Sequence, residues 1–241
     1  MDGAAAEEEL KGLTESVLAH WSLPASPAAV SGIVRHFLLV REENRHVNLT
    51  GLREESTRVA FIRLAVDALS AAMVVDDSGM GVDLGSGAGF PGLPLALLRP
   101  RQPWTLIEAT KKKAAFIDRM VQDVPVPNVV VVAERAEAWA RTTDARFSWV
   151  TARAIGSLSL VAELAASLLV SGGRVVAMRG PGGADEARLA KPALNALGLR
   201  FIGASELVLP EGQGARTLVQ LEKVARTPSR FPRIGASLGQ F

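Results

Sequence analysis

The sequence predicts an α/β protein: a helical N-terminal region followed by a mostly parallel, seven-stranded sheet with a terminal antiparallel hairpin. Three observations carry that prediction. Up to about Val75 the apolar residues recur at helical spacing. From Gly81 the texture changes to short apolar runs alternating with helical patterns. The last two apolar runs are joined by the turn-rich EGQGAR. Continuous Val/Ile/Leu runs separated by helices mark parallel strands covered on both faces.

In chain order, the first helical stripe is Leu10, Leu13, Val17 and Leu18. The second is Val30, Ile33, Val34, Phe37 and Leu38, opened by Ser26-Pro27 as cap and first helical residue. The third follows Thr57, with Val59, Ile62, Val66, Leu69 and Met73; polar REENRHVNLTGLREE lies before it. VDLG (82–85), TLIEA (105–109), NVVVVAE (128–134), FSWVTA (147–152) and RVVAMRG (174–180) read as strands. Helices such as KKKAAFIDRMVQ and SLVAELAASLLV fill the gaps, and a further helix over 185–197 precedes the hairpin formed by FIGASELVLP and TLVQLEK. The expected division is a helical region over 1–78, the sheet domain over 79–225 and a basic tail over 226–241.

Composition narrows the function classes. With 241 residues, 48% of them hydrophobic, the chain can bury a large core. No apolar run approaches the ~18–20 residues of a membrane span, and MDGAAAEEEL lacks the basic and apolar regions of a secretory signal. The absence of cysteine removes disulfides, thiolate metal sites and thiol nucleophiles. A cytoplasmic enzyme is expected, with no metal. The net charge of +2 is mild, but it is unevenly spread. Lys111, Lys112 and Lys113 cluster, and the last sixteen residues carry Arg226, Arg230 and Arg233 without an acid. With Phe231, that tail could stack on RNA or pack back on the domain.

The stretch GVDLGSGAGFPGLPL (81–95) sits where ligands bind in open α/β sheets, at the carboxyl end of a strand. Gly87, Gly89 and Gly92 spell G-x-G-x-x-G, and Glu108 follows about twenty residues on, as in dinucleotide sites. The register is wrong for that reading, however, because the strand ends near Leu84. A pyrophosphate would also meet Asp83, a like charge, where a phosphate wants donors. S-adenosylmethionine, with its sulfonium and ammonium, is attracted by the same carboxylate. Asp83, Gly85, Ser86, Gly87 and Gly89 are therefore candidate cofactor-binding residues, and Glu108 would take the ribose hydroxyls. The adenine would lie near AERAEAW, with the Ala136 backbone and the Glu137 side chain as candidates and Glu134 as a rival. Phe90 either packs on the ligand or belongs to the core.

Absences also narrow the methyl acceptor. TARAIGS at the fourth strand contains no Asn-Pro-Pro-aromatic tetrapeptide to grip an exocyclic amine, and no cysteine can attack a pyrimidine. An acceptor with its own lone pair, such as guanine N7 or a small-molecule nitrogen, needs only positioning and charge stabilisation. Arg135, Arg153, Arg179 and Arg216, near the strand ends, are the candidates for that work.

VNLTGL (47–52), VDLGSGAGFPGLPLALLRP (82–100), EATKKKAAFI (108–117), ERAE (134–137), ARAI (152–155), MRGP (178–181), GARTLVQLEK (214–223) and TPSRFPR (227–233) occur in an order that resembles the RsmG/GidB family. These are the bacterial small-subunit ribosomal RNA guanine-N7 methyltransferases. The resemblance covers nearly the whole chain from about Val47. It implies a class I S-adenosylmethionine-dependent, Rossmann-like methyltransferase fold. It also implies transfer of a methyl group to N7 of guanosine 527 in the 530 loop of 16S rRNA, an activity whose loss is associated with streptomycin resistance. Cofactor contacts carried over by the resemblance fall on Gly85, Phe90, Glu108, Ala109, Ala136, Glu137 and Arg153. RNA or substrate arginines fall on Arg135, Arg153 and Arg216. The implied partner is 16S rRNA or a small-subunit assembly particle; the oligomeric state is open, with a monomer favoured. The chain departs from the pattern at Leu64 (usually His), Ala68 (usually Ser), Arg179 (usually Lys) and Thr217 (usually His), which leaves a methyltransferase acting on another RNA or a small molecule as the alternative.

Overall fold

Residues 3–52, 54–124 and 126–241 are described in a computed structural model of the chain; Met1, Asp2, Arg53 and Pro125 lie outside the described residues. Helices α1 (Gly3–His20) and α2 (Pro27–Glu43) form on the expected stripes. Ser26 caps α2, its Oγ accepting from the Ala29 N–H at 3.1 Å, with Pro27 as first helical residue, where its missing N–H is harmless. Ser56 caps α3 (Thr57–Phe61) in the same way. The chain then passes through a π-helical turn (Ile62–Val66) into α4 (Asp67–Ser70). The third stripe buries Ile62, Val66 and Leu69, but Met73 is 44% exposed because the helix gives way there to a short 3₁₀ turn.

The sheet contains β1 (Gly81–Leu84), β2 (Trp104–Ile107), β3 (Val129–Val132), β4 (Phe147–Arg153), β5 (Leu169–Arg179), β6 (Leu199–Val208) and β7 (Ala215–Lys223). Their order is β3-β2-β1-β4-β5-β7-β6. β7 runs antiparallel to both β5 and β6, and the other pairings are parallel, as expected for a doubly wound sheet with a terminal hairpin. The order reverses between β1 and β4, so the switch point lies beside Leu84 and Arg153.

Around the sheet lie α5 (Gly92–Leu98), α6 (Lys111–Asp123), α7 (Ala136–Thr142), α8 (Leu158–Ala166), α9 (Gly183–Leu189) and α10 (Lys191–Leu197). Two expectations shift. The helix read through SLVAELAASLLV stops at Ala166, and β5 starts at Leu169, five residues before Arg174. Its register against β4 jumps from Phe147↔Leu169 to Trp149↔Arg174, with Gly172 and Gly173 in the irregular stretch. The helix read over 185–197 is broken at Ala190, because Pro192 in the next turn has no N–H to return.

One face of the sheet shares its core with the N-terminal helices: Phe37, Phe61, Leu69, Trp104, Leu106 and Met178 belong to a single cluster. The other face packs Val150, Phe147, Leu164, Leu197 and Val219 beneath α8 and α10. Of the two readings of the tail, packing back holds from Phe231 onward. Phe231 is 8% exposed. Glu163 on α8, fully buried, accepts from the Arg233 N–H, Nε and Nη2 at 2.7, 2.9 and 2.7 Å and from the Gly239 N–H at 2.8 Å. Among the described residues no helix is long and apolar enough to cross a membrane.

Glu163→Ala removes all four acceptor contacts. We expect it to release the tail to trypsin and to lower unfolding free energy by about 2 kcal/mol, read from proteolysis time courses and urea titration.

Candidate functional site

The glycine loop leaves β1 through a series of constrained positions. Asp83, fully buried, accepts from the Thr151 hydroxyl on β4 at 2.8 Å and from the Gly92 N–H at the start of α5 at 3.1 Å. Burial pushes its carboxyl up to about 6; the bonds from Thr151, Ser86 and Gly92 and the nearby Arg153 charge act in the opposite direction. Ser86 is held by its N–H to the Ile107 carbonyl at 3.0 Å and its hydroxyl to the Asp83 carbonyl at 3.1 Å. Glu108, at the end of β2, accepts from the Gly87 N–H at 2.9 Å and the Thr110 N–H at 2.7 Å. Two acidic residues from adjacent strands thus hold the loop, Asp83 joining its two ends and Glu108 fixing its middle at Gly87. A carboxylate has about four lone-pair sites, so Glu108 retains acceptor capacity for hydroxyl groups.

The glycines are required for different reasons. A Cβ on Gly85 (φ +64°) would lie 2.4 Å from Ile155 Cγ2, and one on Gly89 (φ +91°) 2.6 Å from Leu93 Cδ1. A Cβ on Gly92 would meet Asp83 and Leu106 at 2.9 Å. Gly87 (φ +61°) differs: the nearest atom would be the Gly85 carbonyl oxygen at 3.9 Å, so its side faces open space. Protein packing explains the first three, whereas Gly87 presents bare backbone outward. That suits a ligand that must come close.

Phe90 is 3% exposed and sits between two groups. On one side it stacks on His36 of α2, ring centroids 4.3 Å apart; on the other the Arg153 guanidinium lies 5.6 Å from its ring centre. The His36 Nε2 is 2.7 Å from the Ala88 carbonyl, which requires the proton on Nε2. Burial lowers the His36 pKa to about 4, so the ring is neutral at physiological pH.

Arg153, at the end of β4, leads from the loop into a cleft of about 690 Å³. The cleft is walled by Thr50–Leu52, the π-helical turn and α4, and the ends of β4 and β5. Its Nη1 donates to the Leu64 carbonyl at 3.1 Å and to Asp67 Oδ2 at 3.3 Å. Arg216, at the start of β7, reaches Asp67 Oδ1 through Nε at 3.1 Å. One carboxylate, 5% exposed, therefore ties two strand-end arginines to the N-terminal region.

Arg179 lines the same cleft but forks onto Glu186 of α9 at 2.8 and 2.6 Å, with its Nη1 on the Gly156 carbonyl at 2.7 Å. Glu186 also accepts from the Leu158 N–H at 2.7 Å, so Arg179 fixes the starts of α8 and α9. Arg135 is exposed at the start of α7 and does not line the cleft. Glu137 and Ala136, half-buried, open α7, and Ala109 is exposed just after Glu108. The departures Leu64, Ala68 and Thr217 are buried at 6%, 0% and 1%.

Sequence reasoning missed His36, Asp67 and Thr151. A polar residue inside an apolar helical stripe was the available signal for the first two. Thr151 carried none, since threonine is ordinary in a strand.

The sequence model of the family described as GidB, rRNA small subunit methyltransferase G, matches residues 30–206. Among curated relatives, a ribosomal RNA small subunit methyltransferase G from Symbiobacterium thermophilum is 38% identical over 232 residues, covering 92% of this chain and 94% of the relative. A protein of the same name from Solibacter usitatus is 40% identical over 203 residues, covering 83% and 93%. Among solved structures, magnesium protoporphyrin IX methyltransferase from Synechocystis with bound S-adenosylmethionine aligns with a TM-score of 0.54 at 12% identity. It covers 78% of this chain and 97% of that one, and this likeness is one of fold.

Two of the three positive-φ glycines of the loop separate packing from binding. Gly85→Ala, which meets Ile155, should lose about 2–4 kcal/mol of stability. Gly87→Ala, which meets nothing, should lose only about 1 kcal/mol but most of its S-adenosylmethionine affinity. Paired urea titrations and calorimetric titrations check both.

Proposed function

The chain belongs to the family of rRNA small subunit methyltransferases G, and is thus an S-adenosylmethionine-dependent enzyme that methylates small-subunit rRNA; from that premise we propose that its target is N7 of guanosine 527 in the 530 loop of 16S rRNA. The observation that carries the site assignment is the place of Arg153, which lies over Phe90 of the glycine loop and also lines the acceptor cleft. A methyl group held at the loop would face a base held in the cleft.

The cofactor supplies an electrophilic methyl group on a cationic sulfur. The chain's own residues fit it. Gly87 leaves room for close approach, Asp83 puts a carboxylate behind the loop, and Glu108 keeps acceptor capacity for ribose hydroxyls. Ala109, Ala136 and Glu137 follow at the ends of β2 and β3, where the adenine edge would be read. Guanine N7 carries a lone pair at neutral pH, so no residue has to remove a proton before transfer. Arg153 and Arg216 therefore orient the substrate. Asp67 neutralises one of their two charges, leaving a net positive wall suited to phosphate and the guanine O6 edge. Arg179 contributes by holding the cleft wall through Glu186, and Arg135 is free to meet RNA farther out. This reading has the protein working as a cytoplasmic monomer on 16S rRNA or a subunit assembly particle, with its loss conferring streptomycin resistance.

Purified protein supplied with labelled S-adenosylmethionine should methylate 16S rRNA from a strain lacking the endogenous enzyme. Mass mapping should place 7-methylguanosine at position 527. Label at another nucleotide, or only in a small molecule, would refute the target.

A further inference from the structure

A second concavity, about 640 Å³, opens at the opposite end of the central strands, between the end of α7, the start of β5 and the chain leaving β7. Arg141, Arg146, Lys223 and Arg226 line it, and no aspartate or glutamate does. Among the described residues none of these four cations is ion-paired. The acceptor cleft is the reverse case: Arg63, Arg153, Arg179 and Arg216 all meet carboxylates. Because Arg153 and Arg216 share one carboxylate, the cleft keeps a single uncompensated charge, and most of the unpaired positive charge lining the two concavities lies away from the chemistry.

Two buried groups deepen the case. Lys223 is only 7% exposed, yet its Nζ meets just the Leu197 carbonyl and the Thr227 hydroxyl. An ammonium has three donors, so one is left over. A cation removed from water without a counter-charge is costly; here burial lowers the Lys223 pKa to about 8, and a nearby anion would reverse that effect. The Ser167 hydroxyl on the same wall is buried and has no hydrogen-bond partner. Spare donors, three exposed arginines and no acid together describe a receptor for an oxyanion.

We propose that this pocket binds a backbone phosphate of the RNA substrate, anchoring the RNA at the end of the strands opposite the acceptor cleft. The proposal rests on the reading that the substrate is RNA. Six strand steps separate Phe147 from Arg153 along β4, so at ~3.3 Å each the anchor lies roughly 20 Å from the cleft. Binding there adds affinity and register without touching the reacting base, as phosphate contacts do.

The test uses two of the exposed arginines, Arg146→Gln with Arg226→Gln, which leaves the buried Lys223 and the cleft intact. Binding of a 16S rRNA fragment is titrated at several KCl concentrations, alongside methyl-transfer kinetics and S-adenosylmethionine calorimetry. Removing two of the cations that neutralise this phosphate should weaken RNA binding about ten-fold and flatten the log–log salt slope by about 1. KM for RNA should rise, with kcat and cofactor affinity unchanged. Wild-type RNA affinity and salt slope in the double variant would overturn the proposal. So would thermal stabilisation of wild type by inorganic phosphate with RNA binding unaltered in the variant, which would make the pocket a free-phosphate site. If wild type binds the fragment but does not methylate it, the acceptor assignment fails, while the salt slope still decides the anchor.

Discussion

One buried carboxylate governs the site. Asp83 stands one residue before the end of β1, next to the switch point, and its two oxygens hold β4 through Thr151 and the start of α5 through Gly92. A side chain on Gly92 would strike Asp83 itself, so the helix can approach only because that residue is glycine. The loop between them must then turn through positive φ at Gly85, Gly87 and Gly89, with its middle pinned at Gly87 by Glu108. Keeping this carboxylate ionised is unfavourable. A folded-state value near 6 against 3.8 corresponds to on the order of 3 kcal/mol lost at neutral pH, recovered as pH falls through 6 towards 4. A charge retained at that cost is explained by a cationic ligand whose binding offsets it.

The second constraint joins the N-terminal helices to the sheet. His36 and Asp67 are the polar residues by which this otherwise apolar layer addresses the site: one braces the glycine loop through Ala88 and Phe90, the other braces the strand-end arginines. Asp67 follows immediately on the π-helical turn, which exposes the Leu64 carbonyl to Arg153. Wide turns of this kind recur at functional sites because they free a backbone acceptor and re-aim the side chains that follow. The helical region is therefore a wall of the acceptor cleft as well as a cover for the sheet.

The sheet was legible in the sequence because its parallel strands are apolar on both faces and stand out as Val/Ile/Leu runs. The start of β5 was not legible: its Ser-Gly-Gly stretch has no strand character, and SLVAELAASLLV reads through as helix. The cofactor loop was legible because its chemistry is local, an acid and three glycines within seven residues. The arginines were visible, but their roles were not. Arg153 and Arg216 share a carboxylate 86 and 149 positions away, and Arg179 is bound to Glu186 of the next helix. Such pairings are set by tertiary approach and leave no mark on spacing.

The measurement that tests this account most directly is S-adenosylmethionine affinity by calorimetry between pH 5 and 7.5, in wild type and in Asp83→Asn. His36, near 4, is already neutral across that window. A cationic ligand favours ionised Asp83, so wild-type affinity should rise as pH passes through about 6 and then level off. Asp83→Asn should bind more weakly and without that rise. A flat wild-type profile, or an Asp83→Asn variant that matches wild type at pH 7.5, would contradict the claim that the buried carboxylate acts on the cofactor.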